Sequence, residues 1–174
     1  MVVGAGPVGL LNAILLKERG SEVFLSEVNQ GRLKLAETFD VGRILDASST
    51  DVGGEVKKAT QGMGVDLAIV ASGSAAAAAQ ALRSVRKGGT ACLFGVPQEG
   101  ATFSQSLSSV YNSELSIVPS YGATETETRE ALAILSERPA EYRRLLTHRF
   151  PIAEFSQAVE VASRGEGCKV VVIP

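Results

Sequence analysis

Residues 4–9 read Gly-Ala-Gly-Pro-Val-Gly. They follow three apolar residues, Met1, Val2 and Val3, and precede Leu10, Leu11, Ile14 and Leu15, which recur at helical spacing. A G-x-G-x-x-G turn between a strand and a helix commits the chain to a crossover unit and hence to parallel strand pairing. Gly4 permits the tight turn, Gly6 has no Cβ and lets a phosphate approach the backbone, and Gly9 lets the helix pack on the strand. Pro7 suits the first helical turn, where a missing N–H costs nothing, and Val8 follows it. Backbone amides at such a helix start hold a pyrophosphate.

A second strand, residues 22–26, ends at Glu27. An acid at that place, ~20 residues beyond the turn, is what ribose recognition calls for. Its carboxylate accepts hydrogen bonds from both ribose hydroxyls of an adenosine and repels a 2′-phosphate. Glu27 therefore points to NAD, with NADP disfavoured.

Strands and helices continue to alternate, which predicts an α/β fold with a doubly wound, six-stranded parallel sheet. The pattern places a helix at 30–39, a strand at 43–45, a helix at 52–60 and an almost wholly apolar strand at 65–71. Ser74 stands where it would cap the helix 75–85, whose five alanines, 75–79, are explained by helix propensity and close packing. Lys87-Gly88-Gly89 reads as a turn into a strand at 90–94. A short helix near 104–111, a strand at 115–118 and a helix at 127–136, capped by Thr124 or Thr126, follow. This division gives a dinucleotide-binding domain at 1–138. A C-terminal segment at 139–174 holds an extended stretch, a helix at 153–163 and a strand at 169–173 with no obvious partner.

The chain has 174 residues, 45% of them hydrophobic, and a formal net charge of −2. That length supports one domain with an appendage, and the charge gives no reason to expect nucleic acid or an anionic membrane as partner. Cys92 and Cys168 lie far apart within apolar patterns and read as small buried hydrophobes rather than a disulfide framework or zinc site. His148 is the single histidine, and a catalytic zinc wants three protein ligands; no metal site and no catalytic residue are assigned. No leader or membrane-spanning run is read, so a cytoplasmic location is expected.

The ordered set of motifs resembles the cofactor-binding half of the zinc-type medium-chain alcohol dehydrogenases, most nearly the polyol (sorbitol-like) and threonine dehydrogenase branch. Its carriers are residues 4–9, Ser26-Glu27 with Arg32-Leu33, Gly64-Val65-Asp66, Ala71-Ser72-Gly73, Arg86-Lys87-Gly88-Gly89, Phe94-Gly95-Val96-Pro97, Ser120-Tyr121, residues 147–151 and Gly167-Cys168-Lys169-Val170. The resemblance implies that Glu27 binds the adenine ribose with Arg32 beside it, and that Ala71, Ser72 and Gly73 lie near the cofactor. It implies that Phe94, Gly95 and Val96 line the nicotinamide side, that Ser120 and Tyr121 occupy the matching stretch after strand six, and that Lys169 approaches the pyrophosphate. It also implies hydride transfer between a secondary alcohol, such as a polyol, and NAD.

Complete members of that family carry a separate barrel domain that supplies the zinc ligands. Nothing in this chain does so, and a fragment or isolated domain, inactive alone, is expected. In complete members the last helix and strand pack on the barrel. Apolar surface near Phe150, Phe155 and Val171 is thus expected to be exposed or covered by another copy, giving a homo-oligomer. Three alternatives stand beside this reading. One is a flavin enzyme, which shares the first thirty residues' pattern. Another is a zinc-free quinone or enoyl reductase, against which Gly4 and Glu27 argue. The third is a non-catalytic NAD-binding module.

Overall fold

The computed structural model describes all 174 residues, which separate into two compact units, Met1–Ser120 and Tyr121–Pro174. In the first unit the elements run β1 (Val2–Val3), α1 (Pro7–Glu18), β2 (Phe24–Glu27), α2 (Gln30–Ala36), β3 (Arg43–Asp46) and α3 (Val52–Ala59). They continue with β4 (Val65–Val70), α4 (Ala75–Ser84), β5 (Val85–Leu93), α5 (Leu107–Asn112) and β6 (Ser116–Pro119). The six strands form one sheet in the order β3-β2-β1-β4-β5-β6, every pairing parallel. The order reverses direction at β1, which places a crevice at the carboxyl ends of β1 and β4.

The alternation of side chains along each strand divides the core between two faces. Val3, Phe24, Ala68 and Val70 join Val52 and Val56 of α3 and Ala78, Ala81 and Leu82 of α4 in one buried cluster. Val2 and Leu25, also fully buried, belong to the opposite face, as do Leu10, Ala13 and Ile14 of α1. The short apolar first strand is held on both sides, pairing with β2 and β4.

Three local features differ from the sequence reading. The residues Arg86-Lys87-Gly88-Gly89 are not a turn before a strand. They form a bulge inside β5, where the register against β4 shifts between Val65↔Val85 and Leu67↔Thr90. Arg86 holds the bulge down: its Nε donates to Asp66 Oδ1 at 2.6 Å and its guanidinium also donates to the Lys87 carbonyl. Ser74 does occupy the N-cap of α4, but its hydroxyl makes no capping bond. Cys92 and Cys168 are half-buried rather than fully buried.

The second unit holds α6 (Glu125–Glu137), α7 (Pro139–Arg143), β7 (Leu146–Pro151), a 3₁₀ turn (Ile152–Glu154), α8 (Phe155–Ser163) and β8 (Lys169–Ile173). A capping box between Thr124 and Glu127 starts α6, in keeping with the first of the two threonines proposed as its cap. By compactness α6 falls in the second unit: none of its side chains is buried and its packing partner is α7. The terminal strand is not partnerless: β8 pairs in parallel with β7, from Leu146↔Lys169 to Pro151↔Ile173. The pair carries α8 through the buried Ala158. Phe155 remains 56% exposed, whereas Phe150 and Val171 are half-buried. His148 is a structural residue of β7, stacked on Phe150, with Nδ1 3.0 Å from Thr147 Oγ1. No helix is long and apolar enough to cross a membrane.

The carboxyl end of β3 is tied to α2 through Asp46. Oδ2 accepts from Gln30 Nε2 at 2.8 Å and Oδ1 accepts from the Ser48 amide at 2.8 Å and the Ser48 hydroxyl. These donors favour the ionised carboxylate and lower its pKa from 3.8 to about 2, the Ser48 hydroxyl contributing most. A folded-state pKa below the unfolded value stabilises the fold above pH 3.8 and ceases to do so as the pH falls through about 2. A ¹³C NMR titration should place the Asp46 midpoint near 2, and Gln30→Ala with Ser48→Ala should return it toward 3.8.

Candidate dinucleotide-binding site

The turn after β1 is built around close backbone approach. Gly4 has φ of +102°, and its amide donates to the Ser26 carbonyl at 2.7 Å, docking the turn on β2. Gly9 lies so near that a Cβ there would stand 1.8 Å from the Gly4 carbonyl oxygen, whereas a Cβ at Gly6 would meet nothing within 4 Å. The two glycines thus have different reasons: Gly9 is required by packing, while Gly6 keeps open space in front of the turn. No side chain caps the start of α1, so its first amides are free for an anionic ligand. Pro7 occupies the first helical position and Val8 is exposed beside it.

Glu27 is 6% exposed and anchored by three backbone amides. Oε2 accepts from Ala5 at 2.7 Å; Oε1 accepts from Val28 at 2.8 Å and Asn29 at 3.0 Å. Ala5 lies within the glycine-rich turn, so the acid at the end of β2 and the phosphate turn form one connected piece. A carboxylate offers about four acceptor positions. Three are taken, which leaves one at Oε2. Arg32 is positioned by the start of α2, where Asn29 caps the helix by accepting from the Arg32 amide. Its guanidinium stands 3.9 Å from Glu27 Oε2, and its Nε is buried without a hydrogen-bond partner.

These groups meet in a cleft of about 500 Å³ at the crevice where the strand order reverses, a size in the ordinary range for small-molecule sites. Gly4, Gly6, Glu27, Arg32, Ala71 and Ser72 line it. Gly73 does not, but a Cβ on it would stand 2.3 Å from the Val96 carbonyl oxygen, and one on Gly95 would stand 2.5 Å from Ser72 backbone. The loops after β4 and β5 are therefore interlocked. Phe94 and Gly95 both donate their amides to the Val70 carbonyl, while the side chain of Val96 is 73% exposed. Ser120 follows β6, its amide donating to Leu93 at 3.0 Å. Tyr121 and Lys169 belong to the second unit: Tyr121 is 91% exposed, and Lys169 begins β8 with its amide on the Leu145 carbonyl.

The cleft also contains residues that sequence reading passed over: Ser26, Val28, Ala47, Ser74, Ala76, Ala77, Gln80 and Arg83. Val28 and Ala47 were within reach of the rule that ligands gather at strand carboxyl ends. The residues of α4 were not, because only the fold brings Gln80 of that helix within hydrogen-bonding distance of Ser26 on β2. Ala76 and Ala77, two members of the alanine run read as packing alone, are part of the cleft wall.

Residues 7–137 match the family model described as zinc-binding dehydrogenase. Sorbitol dehydrogenase of Halalkalibacterium halodurans is 30% identical over 100% of this chain and 51% of its own length. L-threonine 3-dehydrogenase of Saccharopolyspora erythraea is 28% identical over 98% of this chain and 50% of its own. Alcohol dehydrogenase TADH from Thermus sp. ATN1 superposes with a TM-score of 0.89 at 27% identity, over 99% of this chain and 49% of that one. The chain thus spans about half the length of the relatives it matches. Solved chains of the same fold include one complexed with NADH and one bound to NADP.

Replacing Gly9 by alanine should force the turn away from α1. An overpacked contact of this kind costs about 1–3 kcal/mol, so Gly9→Ala should unfold at a clearly lower urea concentration than the parent chain in an equilibrium titration.

Proposed function

Because this chain belongs to the zinc-binding dehydrogenase family, we propose that its first unit binds a nicotinamide dinucleotide and orients it for hydride exchange with a secondary alcohol, a polyol or related hydroxy compound. The observation that carries the proposal is the bond from the Ala5 amide to buried Glu27, which joins a diphosphate seat and a ribose acceptor in one cleft. The diphosphate lies at Gly4, Gly6 and the start of α1, where Pro7, Val8 and Gly9 open the helix. Glu27 takes one hydroxyl of the adenine ribose. Arg32, which lines the cleft with Nη1 3.9 Å from Glu27, stands beside it as a second polar group for the ribose end.

Ala71, Ser72 and Gly73 carry the cofactor past β4, and Phe94, Gly95 and Val96 receive the nicotinamide side. Ser120, Tyr121 and Lys169 complete the reading, Lys169 as a partner for the pyrophosphate. Fixing the ring's position and face is a proximity contribution to hydride transfer. NAD is favoured over NADP because a 2′-phosphate would meet the Glu27 carboxylate. Within this chain no group of three His, Cys, Asp or Glu side chains is placed to hold a metal ion, so the family's zinc does not fit the residues present. The proposal gives this chain the cofactor side of the reaction, with the zinc ligands in the rest of the enzyme. Self-association belongs to the same reading, motivated by exposed Phe155 and by the exposed residues Ile117 and Val118 of the edge strand β6.

Two variants test the site. Gly6→Val places its side chain where a Cβ meets no protein atom, so it should melt close to the parent. Its affinity for NAD by calorimetry should nevertheless fall ~10–100-fold through lost charged hydrogen bonds; unchanged affinity would reject the phosphate seat. Glu27→Ala should weaken NAD more than NADP and shrink the ratio of the two affinities, with Glu27→Gln in between. A ratio that stays constant across the three proteins would remove Glu27 from cofactor selection.

A further inference from the structure

We propose that Gln80 is a specificity-determining residue, reading the purine of the bound dinucleotide. The inference rests on the cofactor reading above and adds a residue to it. Gln80 lies on α4, one turn beyond Ala76 and three residues beyond Ala77, and all three line the cleft. Two methyl side chains at 76 and 77 leave the helix surface low, and Val28 and Ala47 line the same cleft from the ends of β2 and β3. A flat ring needs this kind of small apolar wall together with a few polar groups at its edge.

The polar edge is supplied by the Gln80 carboxamide. Ser26 is 1% exposed, and its hydroxyl donates to Gln80 Oε1 at 2.8 Å. This bond spans two elements far apart in sequence and ties the carboxamide to β2. Oε1 keeps one lone pair, and Nε2 has no protein acceptor, so a donor and an acceptor stand side by side. The edge of adenine that carries N7 and the 6-amino group presents the complementary acceptor and donor, the pairing by which glutamine reads adenine elsewhere. Hypoxanthine replaces the amino group with an oxygen, which would confront Oε1 without a proton between them. Ser26 is then a positioning residue, acting through Gln80.

The test is calorimetric titration of the intact chain with NAD and with nicotinamide hypoxanthine dinucleotide. The parent chain should bind NAD at least ~10-fold more tightly than the hypoxanthine analogue. Gln80→Leu alone would leave the buried Ser26 hydroxyl unpaired, so the Ser26→Ala/Gln80→Leu double variant, which removes both partners, keeps the fold comparable. In it the two dinucleotides should bind within about twofold of each other, both more weakly than NAD binds the parent. Ser26→Ala alone should lower the preference part of the way, an outcome that a purely structural Ser26 would not produce. Equal binding of the two dinucleotides by the parent, or a preference undiminished in the double variant, would overturn the role of Gln80 while leaving the cofactor site intact. Failure of the parent to bind NAD at all would overturn both.

Discussion

The bond from the Ala5 amide to the Glu27 carboxylate, at 2.7 Å in a buried setting, is the constraint on which the site depends. A carboxylate removed from water must be compensated by donors, and here the donors are backbone groups of the turn it serves and of the residues just after β2. The same atoms that solve the burial problem fix the distance between the turn before α1 and the Glu27 carboxylate. A second link, from the Gly4 amide to the Ser26 carbonyl, holds the residue just before it. Little freedom remains in the mouth of the first crossover unit.

How much of this was legible in the sequence follows from how local each signal is. The turn at residues 4–9 and the acid at 27 could be read because their chemistry is set by a few neighbours and by distance along the chain. Strand and helix alternation gave the six parallel strands because buried strands and amphipathic helices have distinct patterns. The bulge at residues 86–89 was hidden: two glycines beside a lysine look like a turn, and only the register against β4 shows the strand continuing through them. The pairing of β8 with β7 was hidden for a similar reason, since a parallel partner lies across a helix and nothing local announces it. Helix α6 was found from its spacing, but spacing says which face is apolar, not what the face packs against.

The alanine run shows the limit most clearly. Propensity alone explains five alanines in a helix, and nothing in their order separates Ala78, buried in the core, from Ala76 and Ala77, which border the cleft. Gln80 was equally silent. Its partner, Ser26, is on a strand 54 residues earlier, and the significance of both is created by the fold that brings them together. The shape of the ligand end is thus encoded by residue size on a helix that carries no recognisable motif.

The interlocked glycines after β4 and β5 have a mechanical consequence. With Gly73 pressed on the Val96 carbonyl and Gly95 on the Ser72 backbone, no larger residue could stand at either position without parting the two loops. The connections leaving two neighbouring inner strands, β4 and β5, are therefore in direct backbone contact. The contact between the two passes through backbone atoms, with no intervening side chain.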